Sequence, residues 1–320
     1  MAAHMGDAQD LLDRQCARFA ALDHRLPGRY LLPKGDPLLA RLPDGTAVAG
    51  LVAHTRNPPG SAQSLWQATD SFELFPLLGG HPGAGMAALL AEWRSRLAAH
   101  GAPAEDSSCV VTWPSRDAEA SRALLDHGFV PLSCLAIRPP APPAALDTKL
   151  SGTVKVRRAE PADLDAVVEL ALAEHAYAAL VGASVHRPRT AELKRNAARL
   201  RLAAGSGPGG DPVWLAEQDG APVALAECGW IDPDRHSGGH RLRSGRWAYV
   251  NCVSVHERAR GGGVGQQLMA EAHAEFARAG VVGSFLHYNP PNPLSSVFWP
   301  RQGYRPLWTM WEVRPATALR

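Results

Sequence analysis

Lysine is scarce in this 320-residue chain: 4 of its 33 basic residues are lysine and 29 are arginine. Against 31 acidic residues this leaves a formal net charge of only +2. No global field therefore favours nucleic acid or an anionic membrane as a partner. The arginine excess, with abundant Ala, Gly and Pro, reads as GC-rich coding and not as a phosphate-binding surface. No window approaches the roughly 18 uninterrupted apolar residues of a membrane-spanning helix. The segment Met1 to Met5 lacks the basic and apolar regions of a secretory signal. Cysteines are few: Cys16, Cys109, Cys134, Cys228 and Cys252 are odd in number, scattered, and free of C-x-x-C spacing. That argues against a disulfide framework or a zinc ribbon and fits a reducing cytoplasm. The chain is expected to act as a monomer or homodimer.

The 46% apolar content is enough for the cores of two domains of about 150 residues each. The clearest boundary is Pro139-Pro-Ala-Pro-Pro143, continuing to Gly152, because four prolines in five residues favour an extended spacer. It separates a first half, 1–138, from a second, 153–320. The spacing predicts a helix near Asp7 to Ala21, a strand at Val154 to Val156 and an amphipathic helix from Pro161 to Leu180. Landmarks then repeat. Asp44-Gly45 and Asp219-Gly220 both sit as hairpin turns between apolar runs, 175 residues apart. Gly128-Phe129 and Gly303-Tyr304 are again 175 apart, and a Gly-x-Gly at 83–85 recurs at 263–265. Ordered landmarks at near-constant offset imply two copies of one α/β fold. The second copy is longer, with a basic segment Arg187 to Gly210 and a Gly/His/Arg-rich loop Asp232 to Arg246. Such a loop is either a ligand-facing lid or a solvated insertion.

The strongest local signal begins at Tyr249-Val-Asn-Cys-Val-Ser-Val255, an alternating run that reads as a strand. A turn follows, His256 to Gly265 with four glycines, and then an alanine-rich helix to Arg278. A strand, glycine turn and helix N-terminus together present unpaired N–H groups and the positive end of the helix dipole, which suits a pyrophosphate. A P-loop would need Lys where Gln266 stands, and a dinucleotide fingerprint would need Gly there. A glycine turn without a ligand is the alternative. Cys228 and Cys252 lie in strand runs and read as core. His236 and His240 lack a third metal ligand.

Arg260-x-x-Gly263-x-Gly265, five residues after Val253-x-Val255, resembles the acyl-CoA loop of the GNAT acetyltransferase superfamily. Asn292-x-x-Ser295-x-x-x-Trp299-x-x-x-Gly303-Tyr304 is similar to its second hallmark. The resemblance covers about 153–320. A decayed form covers the first half, where Asp117-x-x-Ala120-x-x-x-Leu124-x-x-x-Gly128-Phe129 keeps the second hallmark but Gly80 stands where Arg or Gln is expected. Mycothiol synthase and some antibiotic-pathway acetyltransferases are similarly built tandem proteins. The implied fold is two tandem GNAT-like domains, each a mixed, mostly antiparallel splayed sheet flanked by helices. The implied activity is N-acetylation of a small-molecule amine by acetyl-CoA in the second domain, the first being degenerate. A non-catalytic acyl-CoA-binding protein and a protein acetyltransferase are the other readings.

By resemblance, Val253, Ser254 and Val255 would hold the pantetheine arm, with the Val255 N–H polarising the thioester carbonyl. Arg260, Gly261, Gly262, Gly263, Val264, Gly265 and Gln266 would wrap the pyrophosphate, and Asn292 would hold the far side. Trp299 occupies the place of the family's acidic Tyr, and an indole cannot serve as that acid. Tyr288 is the substitute acid candidate. Glu227, inside an apolar strand run, is the candidate base and either faces the cleft or pairs with an Arg. Tyr249 and Asn251, at alternate strand positions, would shape the acceptor site.

Overall fold

The structure, a computed structural model, describes residues 2–101, 103–140, 154–205, 210–234 and 241–320. The linker beyond residue 140 and the His236/His240 pair lie outside the described residues. The first half runs α1 (Ala2–Leu22), β1 (Asp36–Arg41), β2 (Ala47–Arg56), β3 (Asp70–Leu77), α2 (Pro82–His100), β4 (Ser107–Pro114), α3 (Ala118–Asp126) and β5 (Val130–Arg138). The second runs β6 (Val154–Arg158), α4 (Leu164–Leu180), α5 (Thr190–Gly205), β7 (Val213–Gln218), β8 (Ala221–Ile231), β9 (Trp247–Val255), α6 (Val264–Arg278), β10 (Gly283–Tyr288), α7 (Ser295–Arg301) and β11 (Arg305–Val313). No helix among the described residues is long and apolar enough to cross a membrane.

All eleven strands form one sheet, in the order β1-β2-β3-β4-β11-β5-β10-β9-β8-β7-β6. It is the mixed, mostly antiparallel sheet flanked by helices that the sequence implied, with parallel pairing at β3–β4 and β9–β10. The continuity of the sheet across both halves was not implied. Each half gives its last strand to the other: β11 pairs with β4, β5 pairs with β10, and β5 and β11 pair together at the centre. The registers repeat at the 175-residue offset. Phe285 faces Ile137 and Leu286 faces Ala136, just as Val110 faces Glu312 and Val111 faces Trp311.

The repeated landmarks have repeated physical roles. Asp219 (φ 54°) and Gly220 (φ 77°) make the left-handed pair of a tight hairpin between β7 and β8. Gly128 (φ 88°) and Gly303 (φ 83°) follow α3 and α7 in the left-handed conformation. Phe129 and Tyr304, one residue on, are both buried.

In each half the central parallel pair parts midway. Pairing stops at Leu74–Val111 between β3 and β4, and at Val250–Leu286 between β9 and β10. The first opening is filled by protein. Phe19 of α1 meets Trp113 and Trp308 edge-on, with ring centroids 5.1 and 5.7 Å apart. The fully buried Gln15 donates to the Pro76 carbonyl (2.9 Å) and accepts from the Leu78 N–H (2.8 Å). Helix α1 thus takes the main-chain groups that a ligand would otherwise need. Trp113 and Trp308 stand 175 residues from Tyr288 and Ser133, so smaller side chains line the second opening.

Three arginines of the second half reach carboxylates of the first. Arg305 pairs with Asp23, Arg241 with Glu73 (2.6 Å) and Arg187 with Asp106 (2.7 Å). Arg241 and Arg243 belong to the loop read as either a lid or a solvated insertion. Its described part instead docks on the first half, with Leu242 buried in that core, Arg243 donating to the Leu26 carbonyl (3.3 Å) and the Arg241 carbonyl accepting from the Trp308 indole (2.8 Å). No described residue of this loop lines the second opening.

Trp308→Ala should therefore cost about 3–5 kcal/mol in urea unfolding, the range for truncating a large buried aromatic. Arg187→Ala should cost about 1.5–3 kcal/mol, the range for hydrogen bonds to charged groups. The hydrogen bond from Arg187 is the main reason the Asp106 carboxyl lies below its ordinary value. A depressed carboxylate stabilises the fold above its unfolded pKa and ceases to do so as pH falls through the folded one. The deficit of Arg187→Ala should accordingly shrink below about pH 4, which unfolding at pH 7 and pH 3 would measure.

Candidate active site

Strand β9 leaves β10 after Val250 but stays on β8 as far as Val255. The next N–H, that of His256, donates to Val223 at the near end of β8. Strand alternation then turns the main-chain groups of Val255 and Val253 towards the opened side. From that side Arg260 Nε donates to the Val255 carbonyl at 3.0 Å.

The chain next turns through Gly261 (φ 80°) and Gly263 (φ 82°), a left-handed conformation that strains any residue with a Cβ. Helix α6 begins at Val264 with no side-chain cap. Among the described residues, the N–H groups of Gly261 to Gln266 have no acceptor, and Gln267 is the first to find one, the Gly263 carbonyl. A Cβ on Gly265 would lie 3.4 Å from both Phe298 and Val255, so this glycine lets α6, α7 and the end of β9 meet. The open strand edge and the uncapped helix start line one cleft of about 950 Å³.

Val253, Ser254, Val255, Arg260, Gly261, Gly263, Val264, Gly265, Gln266, Asn292 and Trp299 all line this cleft. Gly262 is the one residue of the expected cofactor set that does not. Asn292 is partly committed: its Oδ1 accepts from the Leu294 and Ser295 N–H groups (2.9 and 3.1 Å) at the start of α7. Trp299 is buried against Phe298 and Tyr304 and forms wall. The Arg260 guanidinium lies 5.6 Å from the centre of the Tyr177 ring. Arg301, which the sequence reading did not single out, also lines the cleft.

A bulge shapes the far end. Glu227 faces Cys252 while Cys228 faces Val250, which leaves Asn251 as the extra residue of β9. The Asn251 amide donates to Glu227 Oε2 at 3.0 Å. Glu227 is 7% exposed, does not itself line the cleft, and pairs with no arginine among the described residues. Neither sequence alternative for it holds. Asn251 stands between this carboxylate and the cleft. Tyr249 stacks on Phe285 with ring centroids 4.8 Å apart, and burial pushes its phenol up to about 12. Tyr288 also lines the cleft, and burial, followed by the charge of Cys134, pushes its phenol up to about 12. That is several units above a thiol at about 8.5. Tyr288 can hydrogen-bond a leaving thiolate but is a poor source of its proton. Burial raises the Cys228 and Cys252 thiols as well, so neither is an activated nucleophile.

Glu174 of α4 was missed. It lines the cleft, and its Oε2 is 4.0 Å from the Cys252 thiol. Loss of solvation raises its carboxyl, Lys194 opposes this, and Glu227 adds to it. The signal was present as a carboxylate breaking the apolar helical stripe of Val167, Leu170, Ala171 and Ala178. Gln63, Trp66, Gln67, Leu132 and Ser133 of the first half also line the cleft, and nothing local in the sequence marked them. No cluster of three metal-ligating side chains occurs among the described residues.

Residues 209–306 match the acetyltransferase (GNAT) domain family. No curated protein matches the chain. Among solved structures, a GCN5-related N-acetyltransferase from Sphaerobacter thermophilus is 18% identical over 89% of this chain and 83% of its own, with a TM-score of 0.53. One from Kribbella flavida is 16% identical over 94% of both chains, with a TM-score of 0.43. One from Ralstonia eutropha JMP134 is 26% identical over 48% of this chain and 94% of its own, with a TM-score of 0.38. The matched segment holds the opened β9 edge, the Arg260–Gly265 turn and the uncapped α6. Within that segment the chain is similar to GNAT acetyltransferase domains.

Proposed function

We propose that the protein is an acetyl-CoA-dependent N-acetyltransferase of a small-molecule primary amine, acting in the cytoplasm, with one working site in the second of two tandem GNAT-like domains. The observation that carries this reading is that two sets of unpaired main-chain donors, at the open edge of β9 and at Gly261 to Gln266, lie along a single cleft. The donors near 261–266, the positive end of α6 and Arg260 suit a diphosphate. The edge at Val253 and Val255 suits the amide-rich arm, and an N–H there would meet the thioester oxygen as charge develops on it.

The chemistry needs a neutral amine. The acceptor gives up one proton, its nitrogen bonds to the acetyl carbon, the carbon–sulfur bond breaks, and the thiolate is reprotonated. The amine nitrogen loses a second proton as the amide forms, so the balance is one proton released per turnover. In this reading Glu227 is the base that finally holds the acceptor proton, and Asn251, whose amide donates to Glu227 Oε2 at 3.0 Å, only orients that carboxylate. Tyr288 orients the leaving sulfur, consistent with its raised phenol. The first domain holds no acetyl-CoA in this reading, because α1 fills its opening.

Calorimetry with acetyl-CoA should give a stoichiometry of one per chain. Arg260→Ala should weaken binding about tenfold, the loss of one charge-assisted contact. Ser133→Trp, which imitates Trp308 in the wrong half, should abolish binding while the chain stays folded by circular dichroism. Glu227→Gln should lower thiol release with an amine at least tenfold and leave acetyl-CoA binding unchanged. Two equivalents bound, or full binding in Ser133→Trp, would overturn the single-site reading.

A further inference from the structure

The far end of the cleft is built by both halves, with one carboxylate on its wall, Glu174, and a second, Glu227, behind Asn251. From the first half comes the loop 57–69. It is closed by the Asn57 N–H donating to the Thr69 carbonyl (2.7 Å) and by the Asn57 amide donating to the Ala68 carbonyl (2.9 Å). The second half holds it from outside. The Val185 N–H donates to the Leu65 carbonyl (2.8 Å), and Arg187 donates to the Ser64 and Gln67 carbonyls (3.0 and 3.3 Å) while paired to Asp106. Fixed on both sides, the loop presents Gln63 and Trp66 to the cleft.

Opposite the loop, the bulge at Asn251 brings two carboxylates to one residue, Cys252. Glu227 is its strand partner, and Glu174 packs on its thiol. Neither carboxylate has an ion pair among the described residues. The cations of α5 stay off the cleft wall: Lys194 lies against the Trp66 ring at 4.6 Å, and Arg201 donates to the Cys228 carbonyl at 2.8 Å. Arg260 and Arg301 line the cleft with the residues of the cofactor turn and α7. His287 also lines the cleft, and loss of solvation and then Arg241 push its imidazole down to about 4.

Building on the acetyltransferase reading, we propose that the acceptor is an amine bearing no carboxylate beside its nitrogen, received as an ammonium by Glu174, with Glu227 adding its charge from behind Asn251 and the body of the amine against Trp66 and Gln63 of the first half. An α-carboxylate would bring a third carboxylate to two that are already poorly solvated, whereas an ammonium pairs with Glu174 and is attracted by Glu227 behind it. The Trp66 ring, which already carries Lys194 on its face, adds apolar contact for the body of the amine. The first half is in this way a determinant of acceptor choice although its own opening is filled.

The test uses matched pairs that differ by the carboxylate alone: tyramine and tyrosine, histamine and histidine, 1,5-diaminopentane and lysine. With the full chain and acetyl-CoA, at least one decarboxylated amine should be acetylated with kcat/KM tenfold or more above its amino acid. Glu174→Gln should narrow that ratio. Trp66→Ala and Gln63→Ala, both at exposed positions, should raise KM for the amine several-fold and leave acetyl-CoA affinity unchanged. Preference for the amino acids, acetylation of none of the three amines, or a ratio indifferent to Glu174→Gln would overturn the proposal. Acetyl-CoA binding measured beside these assays keeps the two readings apart: its absence removes the acetyltransferase reading itself, and its presence confines the failure to the acceptor.

Discussion

The exchange of last strands between the two halves is the constraint on which the rest of the structure depends. A strand edge with unpaired N–H and C=O groups costs free energy when buried, and each half has such an edge beside its opening, on β4 or β10. The chain satisfies both by lending β11 to the first half and β5 to the second. Because β5 and β11 also pair with each other, neither half has a complete sheet alone. Side chains on one half's last strand therefore decide whether the other half's opening is filled.

That coupling explains how two similar folds come to differ. Trp308 enters the first opening from β11, joins Trp113, Phe19 and Tyr30, and closes it with aromatic core. Ser133, its counterpart on β5, leaves the second opening free. The glycine turns diverge in the same sense. The first half has Pro82 near the start of α2, a residue with no N–H to offer, and Leu11 of α1 lies 3.0 Å from where a Cβ on Gly79 would be. The second half has glycines in left-handed geometry and an uncapped helix. Core volume and main-chain donors thus close one site and keep the other available.

At the open cleft, one backbone irregularity brings Asn251, Glu227 and Glu174 together. The extra residue in β9 puts the Asn251 amide on Glu227, and the neighbouring Cys252 is packed by Glu174. A regular strand would send Asn251 and Cys252 to opposite faces. The raised phenols of Tyr249 and Tyr288 come from the same enclosure, which favours their neutral, hydrogen-bonding forms.

Much of this was legible in the sequence because it is local. Glycine at positions needing φ > 0, a hairpin at Asp219-Gly220, a strand leading to a glycine turn and helix, and the 175-residue spacing all follow from short-range sterics and periodicity. The cofactor-side residues came from the family resemblance, and eleven of those twelve line one cleft. Glu174 was half legible, as a charge in an apolar helical stripe. The tertiary structure alone decided that the halves share one sheet, that the loop at 241–246 is a strap between them, and that Gln63, Trp66 and Ser133 wall the second half's cleft. The physical reason is that strand exchange and domain docking are pairings between residues more than a hundred positions apart. A strand's own sequence fixes which of its faces is apolar, but not whose edge it completes.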